Sequence, residues 1–528
     1  MPLGLTWIGV GASEPKSLER PPSDTLPKHR IMTSKHTWKY LFAFCLISPT
    51  CVSSTAQAPE VSSKLEFRSS DPALNASFAW AKQQALAYAH AEADPIGPWY
   101  EAALPDRNAF CMRDVSHQTT GAAALGLYEA NHNMLQLFAS SVSVDRNWAG
   151  YWEIDKQGRP SSADYLNDDD FWYNLPANFD VIDAAYRMWL WTGDNTYIQS
   201  SPMLNLFRHS AHEYVDAWNL SPAAILFRSR IMNRRLQRGK FVDARGIPSY
   251  TEETQDFIVG SDLIAAEYRS FRDLHAIEER QGHALTARQY DAEAARLSFL
   301  LERDGWNHTD RHLAGALSRE KGWRGDGDDL ALYFGSLSDL AHVRESLQYI
   351  SSEDHWKNEG IEAESYLPQT FYRYGDKESA YKVLLDLSRD DKPRREYPET
   401  SYAVIAALVT GAMGVEPKYD PRKHAIVLAT FPQLESDEEK AELTGLRIFT
   451  GTVDVSEVGL HRVSMKNETS NVFIWRALFS GLHRQILVDG QRRRAHAATL
   501  VDGRPVSWVD VTLEVGRTRV ARLDQNGE

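Results

Sequence analysis

The chain has 528 residues, a formal net charge of −14 and no run of Lys or Arg interleaved with aromatics, so nucleic acid is not an expected partner. Its length exceeds one ordinary hydrophobic core and predicts a large domain with at least one smaller one. Of the 3 cysteines, Cys45 and Cys51 fall in the N-terminal stretch and Cys111 is left alone, which excludes an internal disulfide beyond it. Cys111 reads as a small buried residue rather than a nucleophile.

Residues 1–31 are polar and without periodicity. From Met32, the segment MTSKHTWKYLFAFCLISPTCVSSTAQA sets Lys35 and Lys39 ahead of a short apolar stretch, Tyr40 to Ile47, followed by small residues to Ala58. This is the plan of a secretory signal cleaved after Ala58, with Met32 as the true start. The apolar stretch falls short of the ~20 residues that span a bilayer. A periplasmic or secreted protein without stable membrane insertion is therefore expected.

Residues 59–416 show apolar residues at helical spacing over 78–91, 115–128, 130–143, 180–192, 205–218, 261–280, 285–302, 328–337, 339–350, 362–373, 376–389 and 400–413. Paired helices in this number predict a mainly α fold, an (α/α)6 barrel with its active site among the loops at one end. Beyond 417 the period shifts from 3.6 to 2, with Gly, Asn and Asp turns between strand-length segments such as HAIVLATFPQL and NVFIWRALFSG. A small C-terminal β-sandwich over 417–528 is predicted.

Two stretches place acids at the mouths of helices. In SYTEETQDFIVGSDLIAAEY, Glu252 and Glu253 precede a helix for which Ser261 is the expected N-cap; in REYPETSYAVIAALVTGAMG, Glu399 follows Pro398 at the start of an apolar helix. Glycoside hydrolysis needs one protonated carboxyl for the leaving oxygen and one carboxylate for water, ~6.5–9.5 Å apart when the configuration inverts. Glu252, crowded by Glu253 and Asp256, suits the acid, with Glu253 as its substitute. Glu399 at a helix N-terminus suits the base, with Glu364 in NEGIEAESYLPQ as its rival. Each is equally a solvated or capping charge on sequence grounds.

Arg113 and Asp114 in FCMRDVSHQ match vicinal sugar hydroxyls, a planar fork and a carboxylate each meeting two oxygens; an internal ion pair is the alternative. Asp170, Trp172 and Tyr173 in DYLNDDDFWYNLPANFD suit a stacking platform beside an acid, or ordinary packing. Trp323 in KGWRGDGDD is a further pocket candidate. Oxygen ligands for calcium cluster at 168–170 and 326–329 without EF-hand spacing, so no metal and no cofactor is expected.

With the helical pairs, the loop YTEETQDF, the helix PETSYAVIAALVTG and the β-region in place, the chain resembles the six-hairpin glycosidases: glucoamylases, trehalases and bacterial α-L-rhamnosidases. The resemblance covers about residues 75–415 in architecture. It implies that Glu252 is the general acid, as the first of a glucoamylase Glu-Glu pair, and Glu399 the catalytic glutamate that opens the last trehalase barrel helix. It implies a sugar-binding role for Arg113 and Asp114. The chain departs from the family in lacking a Trp beside Glu252 and the rhamnosidase acid motif. The expectation is an exported, inverting glycoside hydrolase with a carbohydrate substrate. The alternatives are a polysaccharide lyase or unsaturated-uronide hydrolase on the same barrel, using Tyr250, His117 and Arg113, or a non-catalytic sugar-binding protein.

Overall fold

The computed structural model describes residues 61–91, 93–103, 107–228, 241, 244–251 and 257–524. The expected signal segment, and the pair Glu252 and Glu253, lie outside the described residues. Helix α1 (Pro72–Ala87) opens six residues earlier than periodicity suggested, because Asp71 accepts a hydrogen bond from the Ala73 amide at 2.7 Å and Pro72 takes a position where no amide hydrogen is needed.

Eleven more helices follow: α2 (Met112–Ala124), α3 (Tyr128–Ser141), α4 (Ala177–Thr192), α5 (Ser201–His209), α6 (Ser261–Gln281), α7 (Ala284–Gly305), α8 (Asp328–Phe334), α9 (Leu340–Ile350), α10 (Ile361–Tyr374), α11 (Lys377–Leu387) and α12 (Pro398–Ala406). Shorter helical pieces lie between them. The even-numbered helices pack in sequence order, α2 on α4, α4 on α6 and onward to α12, and α12 packs back on α2. Outside them α3 lies on α2, α7 on α6, α9 on α8, α11 on α10 and α1 on α12. The closing contact is tight: a Cβ on Gly121 of α2 would lie 2.1 Å from the Tyr402 carbonyl oxygen of α12, so only glycine fits.

The fold is mixed α/β, not mainly α. One sheet of seven strands and another of five occupy the C-terminal region, and in Phe473–Ser480 the buried Phe473, Trp475, Ala477 and Phe479 alternate with outward residues as a one-sided strand requires. Strand Glu66–Ser69, which periodicity did not reveal in so short a run, forms the edge of the seven-stranded sheet, with Phe67 opposite Leu443 of Lys440–Ile448. Trp191 of α4 donates its indole N–H to the Arg447 carbonyl at 2.9 Å, fastening helices to sheet. Short strands also separate the helices: Ala109–Cys111 pairs with Glu153–Asp155 ahead of α2, Tyr173–Asn174 with Arg245–Ile247 ahead of α4, and Phe257–Gly260 with His312–Ser318 ahead of α6. All of these but His312–Ser318 are runs of two to four residues, which carry too few alternations to register.

Ser261 does not cap α6. Gly260 holds that position, and the Ser261 hydroxyl donates instead to the carbonyls of Ala314 and Gly315, tying α6 to the neighbouring strand.

Candidate active site

Every even-numbered helix carries an acid in its first turn: Asp114 on α2, Asp180 on α4, Asp262 on α6, Asp328 and Asp329 on α8, Glu362 and Glu364 on α10, and Glu399 on α12. A helix N-terminus favours a carboxylate, whereas burial disfavours it, so each acid is decided by its surroundings.

Arg113 is the hub. Its Nε lies 3.3 Å from Asp114 and its guanidinium donates to Glu362 at 2.9 Å, while the same group sits 5.1 Å from the Tyr250 ring and 5.8 Å from Trp152. Because α2 and α10 both flank α12, this bridge passes beside Glu399. Glu399 is only 6% exposed, and its Oε1 has no hydrogen-bond partner among the described residues. Burial, then the charges of Asp114 and Glu362, hold its carboxyl well above the usual carboxylate range, against the weaker pull of Arg113 and Arg394. The sequence argument for a charged Glu399 rested on the helix terminus alone; here desolvation and two neighbouring acids outweigh it.

On the next two helices, the Tyr250 hydroxyl donates to Asp180, whose other oxygen is unpartnered among the described residues. Burial and then Asp183 push Asp180 up, with Arg113 and Arg187 opposing. Asp262 accepts from the Ser249 hydroxyl at 2.9 Å and from the Tyr250 amide, yet burial still pushes it up to about 7. His117 accepts or donates at Tyr333 over 3.1 Å and stands 4.5 Å from the Tyr366 ring; burial, then Arg187 and Arg113, keep it neutral. This end of the helical array thus combines carboxyls whose pKa values burial raises, one shared guanidinium and aromatic faces, a set able to donate a proton and to hydrogen-bond a polyol.

The structure brings Arg113, Asp114 and Glu399 together. It sorts the two acids of α10 differently. Glu362, two residues from Glu364 and so on another side of the helix, faces Arg113, whereas Glu364 is fully buried against Lys392 at 2.5 Å in a cluster with Asp386. Glu364 is thus engaged by Lys392 and not by Arg113. The proposed platform is also internal: Tyr173 is 0% exposed and gives its hydroxyl to Asn178, Trp172 is buried, and Asp170 accepts from the Phe241 amide. Aromatics in a polar stretch looked solvent-facing because the short strands that bury them were not legible. Trp323 lies on Gly322–Asp326, half-buried beside Gly305 at the end of α7. Cys111 is buried and unbridged, its thiol raised by burial, as expected of an inert residue.

Asp180, Asp262 and Glu362 were not singled out from sequence. The available signal was positional: each is an acid in the first turn of a helix, as Glu399 is.

No family model matches the chain, and no curated protein matches it. Solved structures do. The α-L-rhamnosidase from Dictyoglumus thermophilum aligns with a TM-score of 0.56 at 14% identity, over 88% of this chain and 51% of that one. The Streptomyces avermitilis α-L-rhamnosidase complexed with L-rhamnose gives 0.53 at 12%, over 88% and 42%, and the Aspergillus terreus enzyme 0.52 at 11%, over 86% and 51%. The chain spans about half the length of these structures. At such identity the likeness is one of fold alone.

Proposed function

We propose that the protein is an exported glycoside hydrolase built as an (α/α)6 barrel over about residues 59–416 with a β-sandwich over 417–528, cleaving an oligosaccharide by a two-carboxylate, inverting reaction. The observation that carries this is Glu399: a buried carboxyl with one unpartnered oxygen, its pKa raised by burial and by Asp114 and Glu362, beside the Arg113 that those two acids share. In this reading Glu399 gives its proton to the leaving glycosidic oxygen. The water-activating carboxylate comes from the loop that leads into α6, where Glu252 and its neighbour Glu253 stand in sequence. Helix α6, which follows that stretch in sequence, is third from α12 in either direction around the six even-numbered helices. The roles are the reverse of those read from sequence. Asp114 and Arg113 bind hydroxyls of the bound sugar, and Tyr250 and Tyr366 offer faces to it.

The fold likeness to α-L-rhamnosidases makes a terminal α-L-rhamnosyl residue the first substrate to try. Incubation of the full chain with nitrophenyl glycosides, the α-L-rhamnoside among them, is expected to release nitrophenol from one of the set, with the inverted anomer appearing first by proton NMR. No release from any, with no sugar bound, would sink the reading. One arrangement favours a second one: Arg113, His117 and Tyr250 do lie together, the last two rings 6.4 Å apart, as base and counter-ion of β-elimination on a uronate would. A new ultraviolet absorbance from uronate polymers would select it.

A further inference from the structure

We propose that Asp329, His355 and Glu359 form a site for a divalent cation of intermediate hardness, zinc or manganese, separate from the glycosidic chemistry. Asp329 stands in the first turn of α8, His355 in the short helix Glu353–Trp356, and Glu359 just ahead of α10. One donor atom from each lies within 4.8 Å of the others. His355 Nε2 is 3.1 and 3.2 Å from the two Asp329 oxygens and 3.9 Å from Glu359 Oε1. Bonds of about 2.0–2.2 Å to a common ion leave donor atoms separated by roughly such distances.

A second observation concerns charge. Asp326, Asp328, Asp329 and Glu359 crowd around two imidazoles, His312 and His355, the latter with a side chain only 5% exposed. Among the described residues no Lys or Arg pairs with any of these four carboxylates. Asp329, with its side chain only 16% exposed and acids on either side, is drawn out of water and needs a compensating charge, and a dication at the His355 end supplies it. The other half of the cluster is already satisfied. Asp328 accepts from the Leu313 amide and the Ser346 hydroxyl, and His312 pairs with Asp328 at 3.4 Å under the Tyr349 ring, stacked at 4.7 Å. Those contacts fix the strand end and the start of α8, and so hold Asp329 in place, as supporting groups around metal ligands do.

The donor set selects the ion. One imidazole with two carboxylates suits zinc or manganese, whereas calcium takes oxygens alone. Three protein ligands leave positions for water on the side where the Glu359 side chain, 30% exposed, meets solvent. Glu359 is also three residues before Glu362, so a bound ion fixes the approach of α10, whose Glu362 holds Arg113.

The test is titration of the chelator-treated full chain with Co2+, followed by visible absorption, and with Zn2+, Mn2+ and Ca2+ by calorimetry. One saturable site per chain, visible cobalt bands, and a preference for Zn2+ or Mn2+ over Ca2+ are expected. Affinity is expected to fall at least about tenfold in His355→Ala and in Glu359→Gln. The second change is at a partly exposed carboxyl and leaves the fold intact by circular dichroism. No saturable binding, a preference for Ca2+, or undiminished affinity in Glu359→Gln would overturn the proposal and leave Asp329 and His355 as a buried ion pair. Either result is independent of which glycoside is cleaved.

Discussion

Arg113 on α2 and Glu362 on α10 hold each other at 2.9 Å, and the helix between them, α12, carries Glu399. The bridge places one positive charge among three acids and engages Asp114 and Glu362 directly, while Glu399 Oε1 is left without a hydrogen-bond partner among the described residues. Most of what the site is expected to do follows from that imbalance.

Replacing Arg113 by Ala removes the cation that lowers Glu399 and leaves Asp114 and Glu362 facing it uncompensated. The alkaline limb of the pH–rate profile is expected to move to higher pH, with a higher KM. Arg113→Lys keeps the charge but loses the fork, and is expected to hold the limb while still raising KM. An unmoved limb in Arg113→Ala would separate Glu399 from that ionisation.

Stability is expected to fall as pH rises from about 5 to about 8. Burial holds Asp262 and Glu364 at about 7, above their unfolded values, so the folded chain keeps protons that the unfolded chain has already lost. Their contribution is complete below the unfolded values and is lost as pH climbs through the folded ones, at about 1.4 kcal/mol per pH unit for each group in that window. Asp183 works the other way: its pairs with Arg187 and Arg269 at 2.8 Å hold it far below the usual range, so its contribution is lost only in strong acid. Urea midpoints at several pH values check the slope; a rise between pH 5 and 8 would contradict it.

Tyr173→Phe leaves the buried Asn178 oxygen without its donor, at a cost of about 1–3 kcal/mol. The loss is expected in the urea midpoint and not in KM, since the ring is enclosed. A raised KM at unchanged stability would return Tyr173 to the sugar site.

Gly121→Ala drives a Cβ into the α12 backbone, and backbone cannot step aside as a side-chain tip can. Overpacking of this kind costs about 1–3 kcal/mol or more, so an unchanged melting temperature would show that α2 and α12 are not pressed together as described.

The long elements were legible because hydrophobic period carries over many residues: all twelve helices were located, most within a few residues of their ends. Pro72 was readable as a helix start from Asp71-Pro72, a signal that period alone passed over. The site was legible only in part. Arg113, Asp114 and Glu399 announced themselves by position, but choosing Glu362 over Glu364 requires the rotational phase of α10 against its neighbours, and turning Trp172 and Tyr173 inward requires the two-residue strand at Tyr173. The upward shift of Glu399 depended on its burial and on residues far apart in sequence, Asp114, Glu362 and Arg113, meeting where α12 closes on α2.

The measurement that bears most directly on the account is the leaving-group dependence of Glu399→Gln. A proton donor matters when the leaving oxygen is basic and hardly matters when it is not. With an oligosaccharide or alkyl glycoside, kcat/KM is expected to fall by about 10²–10⁴, whereas a dinitrophenyl glycoside of the same sugar is expected to keep most of its rate. Equal losses on both substrates would make Glu399 something other than the acid, and full activity on both would place the chemistry away from the Arg113 cluster altogether.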